Sequence, residues 1–418
     1  MNRPVVVLLG LLLLAACAEG GASDVEARGP IRVQVSGEPE ETRIYRALVT
    51  AFLEDNPDAE VELVEIAQKD EHLQKLTTDF AGGDAADVFL VNFREYSQFV
   101  TRGATEPVGP LLADRGVDLA DYYEPPVEAF TYDGALQCMP QNISSLVVYY
   151  NKALFRGAGM RAPPKGWGWE EFREVAGRLT RGEIDGLGLD PEIIRLAPFA
   201  WSNGGEIVDD PDEPTRFTLD DPATREALEY LVSLVRDAKV VPTEQEIAAQ
   251  DLETRFVTGK LAMLLSSRKD TPVFREVLGL DWDVAPLPVA EEEVGILHSD
   301  GYCIARGSNV ASAADFIAYA TGEQGQTITA LGGRTVPSLI EISRSPAFLD
   351  PTQPPARARV FLDVAANVRR TPVIPTWPEI EDLTAEFLTR AFYEEDYTID
   401  DAIEDIDSAT RPLFEEGR

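Results

Sequence analysis

The chain is poor in the residues on which most nucleophilic and metal chemistry rests. It holds two histidines, His72 and His298, and three cysteines, Cys17, Cys138 and Cys303, in 418 residues. A histidine relay or a zinc cluster is hard to assemble from groups so few and so far apart. Positive charge is also scarce: 37 Lys and Arg stand against 73 Asp and Glu, a formal net charge of −36. That balance argues against gripping nucleic acid through its phosphates and against a basic face on an anionic membrane. After the first sixteen residues no apolar run approaches the length of a membrane-spanning helix. Gly-x-Ser-x-Gly, His-Glu-x-x-His, the phosphate loop and a strand-to-helix Gly-x-Gly-x-x-Gly are all missing. A glycosidase-type carboxylate pair stays open, because acids are too plentiful for counting to exclude one.

What remains is globular. The apolar fraction is 44%, ordinary for a folded chain, and the length suggests two or three domains at about 100–200 residues each. Residues 1–16 read as a signal peptide: Arg3 supplies a positive start and Val5 to Ala16 an apolar stretch too short to span a bilayer. Leu14-Ala-Ala-Cys17 resembles a bacterial lipobox, so Cys17 is the expected lipidated N-terminus, with 17–29 a small, polar tether. An ordinary cleaved signal with a chance cysteine is the alternative. The mature chain is then expected outside the cytoplasm, held to the cell membrane by lipid alone.

Hydrophobic spacing gives β-α-β-α-β at the start. Ile31 to Ser36 alternates as a strand, Ile44, Leu48, Ala51 and Phe52 share a helical face, and Asp87-Val-Phe-Leu-Val91 is a short apolar strand. This is an α/β domain. Ligands in such sheets bind at the carboxyl ends of strands, which nominates Glu38 after the first and Asn92, Phe93 and Arg94 after the third. Further strands are expected near 146–150, 261–265 and 301–305. Helices are expected over 169–179, 223–238, 310–320, 323–330, 380–392 and 400–414.

Several segments, taken in order, resemble the extracellular solute-binding lipoproteins of ABC importers, the maltose-binding-protein-like family. They are Thr78-Asp-Phe-Ala-Gly-Gly-Asp-Ala-Ala-Asp-Val-Phe89, Tyr150-Asn-Lys-Ala-Leu-Phe155, Phe256-Val-Thr-Gly-Lys-Leu-Ala-Met263 and Gly332-Gly-Arg-Thr-Val-Pro337. The resemblance covers roughly residues 31–415. It implies a two-lobed α/β fold of the periplasmic-binding-protein type II, with the ligand cleft between the lobes and hinge strands crossing near 138–146 and 298–304. Lobe one would hold 30–139 and 303–350; lobe two, 145–298 and 355–418.

The family's function would be capture of a sugar, oligosaccharide or polyol and its delivery to an ABC-transporter permease by a monomer, with no cofactor, metal or turnover. The alternatives are an extracellular carbohydrate-active enzyme and a non-transport interaction module. The implied ligand set is Glu38, Asn92 and Arg94; Asn142 and Ser144 at the first crossing; Trp201, Asn203 and Gly204; Ser266, Ser267 and Arg268 after a strand; Asp300, Gly301 and Tyr302 at the second crossing; then Arg334 and Trp377. The two tryptophans would offer rings to sugar faces, or else pack in the core. In this fold the crossing strands run side by side, so Cys138 and Cys303 are expected to form a disulfide; two separate buried thiols are the alternative.

Overall fold

The computed structural model describes residues 29–417. The signal segment 1–16, Cys17 and most of the tether lie outside them. The first strand, β1 (Ile31–Ser36), buries Ile31, Val33 and Val35 on its core face. Gly37 then lets the chain turn: a Cβ there would lie 2.5 Å from the Glu41 carboxylate. Helix α1 (Pro39–Asp55) follows, with Pro39 opening it and Glu40 and Glu41 in its first turn, where acids suit the helix dipole. Strands β2 (Val61–Ile66) and β3 (Val88–Asn92) flank β1, both parallel to it. Helix α2 (Lys69–Gly82) connects them and α3 (Phe93–Val100) follows β3.

The sheet is completed by a strand from far along the chain. Asp300–Ala305 runs antiparallel to β3 on one side, and on the other to Thr105–Glu106 and Cys138–Pro140. The second lobe has its own four-stranded sheet, in the order Trp282–Ala285, Val147–Asn151, Leu261–Ser266 and Asp185–Gly188. Helices Trp169–Leu179, Pro222–Arg236, Trp377–Tyr393 and Ile399–Glu416 belong to its apolar cluster. The expected fold, two α/β lobes joined by crossing strands, is the observed one. No helix among the described residues is long and apolar enough to cross a membrane.

The crossings lie against each other. Ser144 and His298 exchange backbone hydrogen bonds of 2.9 and 2.8 Å, and Gln141 N donates to Asp300 O at 2.8 Å. Cys303 and Cys138 face each other across this antiparallel pair with Cα atoms 4.3 Å apart, and they form a disulfide.

One helix departs from the sequence reading. Ile193–Ser202 is helical and buried along almost its whole length, from Ile193 through Leu196, Phe199 and Trp201. The Trp-Ser-Asn-Gly-Gly stretch is therefore a helix end capped by Asn203, with Gly204 left-handed at φ +78°. His72 is a structural residue: its Nε2–H donates to Leu90 O at 2.8 Å while Nδ1 accepts from Gln34 at 3.3 Å.

The bridge closes a loop of 165 residues, and the chain-entropy model values such a constraint at about 5 kcal/mol. Replacing both cysteines by alanine is expected to lower unfolding stability by about 2–5 kcal/mol in urea. An unchanged midpoint would mean that strand pairing alone holds the crossing.

Candidate functional site

The end of β3 and the start of the returning strand meet at the hinge and supply a polar floor. Asn92 Nδ2 donates to Asp300 Oδ1 at 3.0 Å, and Asn92 Oδ1 accepts from the Arg94 backbone N–H and from its Nε, both at 3.2 Å. Asn142 Oδ1 accepts from the Asp300 N–H at 2.8 Å. Arg334 joins from the far side, 3.0 Å from Glu41 and 3.6 Å from Asp300. These groups come from five separate stretches of chain.

One ion pair spans the cleft. Arg94, at the start of α3 in the first lobe, meets Glu381 of the helix Trp377–Tyr393 in the second at 2.6 Å. Glu381 also accepts from the Trp377 indole N–H at 2.6 Å. Both charges are largely buried, so removing either would strand the other in a poorly solvated place. Beside them Lys69 pairs with Glu95, and Arg195 with Asp190 at 3.3 Å. Asp382 faces Glu381, Asp70 and Glu192; burial first, then these like charges, holds its carboxyl above the usual range.

His298 lies among these cations. Its Nε2 is enclosed and finds no hydrogen-bond partner among the described residues. Burial, then Arg94, Arg195, Lys69 and Lys269, push its pKa well below the ordinary value, so it is neutral at pH 7. The hydroxyl of Ser144, whose backbone pairs with His298, is likewise enclosed and unpartnered among the described residues.

The structure brings Asn92, Arg94, Asn142, Ser144, Asp300 and Arg334 together. Glu38 is exposed at the start of α1, where its carboxylate accepts from Gln68 at 2.8 Å. Others are placed elsewhere. Trp201 is 2% exposed in the second lobe's core, its ring under Arg369 at 4.9 Å. Asn203 is occupied by Ala223 O and Glu226, both at 3.0 Å. With Gly204 it lies at the opposite end of its helix from Glu192 and Arg195. Trp377 is fully buried against Phe217 and Phe414; it reaches the site only through Glu381.

Gly301 makes room for the Phe130 ring, 2.7 Å from where a Cβ would stand. Tyr302 points into the first lobe's core and donates to Gln141 at 2.7 Å. Ser266 is buried at a strand end. Ser267 accepts from Tyr149 through its carbonyl at 2.8 Å. Arg268 is enclosed between two phenylalanine rings.

Sequence reasoning missed Lys69, Glu95, Arg195, His298 and Glu381. A signal for Glu381 was present: it lies one helical turn after Trp377, on the same face. Among the described residues no group of three or more His, Cys, Asp or Glu is arranged to hold a metal ion.

Two α/β lobes, a double-stranded hinge and a charged cleft between them define a two-lobed binding protein. A family model for the bacterial extracellular solute-binding proteins matches residues 37–327, and the chain belongs to that family. A binding protein of Brucella abortus is 26% identical over 91% of this chain and 90% of its own. The diacetylchitobiose binding protein DasA of Streptomyces coelicolor is 22% identical over 91% of each chain. Among solved structures, an ABC substrate-binding protein of Listeria monocytogenes in complex with cycloalternan superposes with a TM-score of 0.84 at 25% identity, covering 93% of this chain and 99% of the other. UgpB of Mycobacterium tuberculosis in complex with glycerophosphocholine gives 0.82 at 21% identity, covering 93% and 99%.

His298 makes a pH prediction. A histidine kept neutral in the fold but free to protonate when unfolded costs stability as pH falls below its ordinary pKa of about 6.5, by up to about 1.4 kcal/mol per pH unit. Buried Asp270, raised to about 6, acts oppositely below that value. The expected result for His298→Asn, measured by urea unfolding from pH 7 to 5, is a stability difference from wild type that shifts steadily in the variant's favour. A pH-independent difference would show that His298 titrates alike in both states.

Proposed function

We propose that the chain is an extracytoplasmic solute-binding lipoprotein that captures a carbohydrate or polyol between its lobes and hands it to an ABC-transporter permease. The observation that carries this reading is the cleft itself. Groups from both lobes meet across it, with Arg94 and Glu381 in contact, and the two lobes are joined at a hinge whose strands are cross-linked. Such a joint can open and close on a ligand without unfolding either lobe. Family membership supports the binding role. The ligands named for relatives, diacetylchitobiose and cycloalternan, support the carbohydrate class.

The candidate contacts suit hydroxyl groups. Asn92 and Asn142 offer amides, Asp300 a carboxylate and Arg94 and Arg334 guanidinium forks, the planar polar groups that bond vicinal hydroxyls. The aromatic candidates Trp201 and Trp377 lie in the core, so hydrogen bonding rather than stacking carries recognition in this reading. We place the lobe boundaries at 30–139 with 303–350, and 145–298 with 355–418. The protein works as a monomer, binds without turnover and uses no cofactor.

A thermal-shift panel of neutral sugars and polyols tests the binding claim. One ligand is expected to stabilise the fold, by about 2.7 kcal/mol at 100 times its Kd, and to be recovered intact by mass spectrometry. Asn92→Ala should weaken that ligand by about 1–3 kcal/mol. If no member binds, or if the bound ligand is consumed, the reading fails.

Anchoring is tested separately in the producing cells. Cys17→Ala is expected to move the protein from the membrane fraction to the soluble one. Equal membrane retention of the variant would remove lipid from the account.

A further inference from the structure

Four arginines are buried among the described residues: Arg94, Arg195, Arg255 and Arg268. Three of them face carboxylates: Arg94 meets Glu381, Arg195 meets Asp190 and Arg255 meets Asp185. Arg268 does not. It is 1% exposed, and none of its Nε, Nη1 and Nη2 atoms finds a hydrogen-bond acceptor among the described residues. Its guanidinium carbon lies 4.4 Å from the Phe348 ring centre and 5.0 Å from that of Phe361. The rings attract the cation through their faces, but they leave the donors along its edge without acceptors.

The surroundings add positive charge. Arg275 is close enough to act on Arg268, and burial pushes Arg268 down to about 9. Arg275 Nε is held by Pro354 O at 2.8 Å. Tyr149 and Thr271 bring hydroxyls to the same corner, 3.0 Å from each other. An unpaired buried charge is among the costliest features a fold can carry. A planar fork with unused donors is shaped for an oxyanion that can accept two of them together.

The corner is also a joint between the lobes. Phe348 belongs to a stretch tied to the first lobe through Ser343, whose hydroxyl is 2.9 Å from that of Tyr123. Phe361 packs on Tyr149 of the second lobe's sheet, with ring centres 6.3 Å apart. The guanidinium thus lies between a ring from each side of the joint, Phe348 and Phe361.

We propose that Arg268 is the anchor of an anion site between the lobes, which takes a phosphate or carboxylate group, either as a free ion or as part of a larger solute. The site stands on its own observations and does not depend on the carbohydrate reading.

The experiment uses wild type, Arg268→Met and Arg268→Lys, in buffer free of phosphate, with thermal shift and titration calorimetry. The probes are inorganic phosphate, glycerol and glycerol 3-phosphate. Phosphate is expected to raise the melting temperature of wild type. Arg268→Met should lose about tenfold or more in phosphate affinity, and Arg268→Lys should keep part of it. If glycerol 3-phosphate binds far more tightly than phosphate and glycerol do, the anion is carried by the solute. If phosphate and glycerol 3-phosphate act alike, it is a free ion. A wild type indifferent to both anions, or an equal response in wild type and Arg268→Met, overturns the proposal. Should Arg268→Met fail to fold, an Arg268→Lys protein with unaltered anion affinity overturns it as well. Neutral-sugar binding by wild type is scored in the earlier panel, so the two readings can fail separately.

Discussion

The strand Asp300–Ala305 is the piece on which the molecule depends. It pairs with β3 on one edge and with Cys138–Pro140 on the other, so one strand closes the first lobe's sheet and forms half of the hinge. Its first residue, Asp300, lies on the floor of the cleft, bonded to Asn92 and Asn142. Its fourth, Cys303, carries the bridge to Cys138. Sheet closure, hinge and candidate binding floor thus share six residues. The glycine at the second position is part of the same economy of space, since Phe130 occupies the room a side chain would need.

Charge is distributed unevenly between surface and cleft. The chain carries nearly twice as many acids as bases, and most of that excess is a solvated shell that acts on solubility rather than on fold. Several of the scarce cations are gathered in and beside the cleft, where Lys69, Arg94, Arg195 and Arg334 each meet a carboxylate. Pairs of this kind contribute little net energy when both members are buried, but they fix geometry, because breaking one leaves an uncompensated charge. The contact between Arg94 and Glu381 does this across the lobes. Trp377, deep in the second lobe's core, holds Glu381 from behind.

The alternating and apolar stretches revealed β1, β3 and most of the longer helices, because those elements bury faces whose period is set by local geometry. Resemblance to a family placed the distant strand Asp300–Ala305 against the crossing and so Cys303 beside Cys138; no local pattern connects positions so far apart. The candidate site was half legible. Asn92 and Arg94 stand at the carboxyl end of β3, where the α/β rule looks for ligands, while Asp300 was nominated by the family resemblance. Glu381 was one acid among 73, distinguished only by a tertiary contact. Trp201 was misplaced for a physical reason: Asn203-Gly204-Gly205 looks like loop, while the apolar residues from Ile193 onward that make the helix and bury the ring precede it. Gly301 stood in the ligand set implied by resemblance, and Phe130, 171 positions earlier, explains why a glycine is there.

The central claim is that the lobes close on a solute about the cross-linked hinge. Small-angle X-ray scattering of wild type with and without a saturating ligand from the binding panel measures this directly. The account predicts a smaller radius of gyration with ligand, and no such change in a variant whose lobes are locked together by an added inter-lobe cross-link. A ligand that binds tightly while the scattering curve stays the same would contradict it.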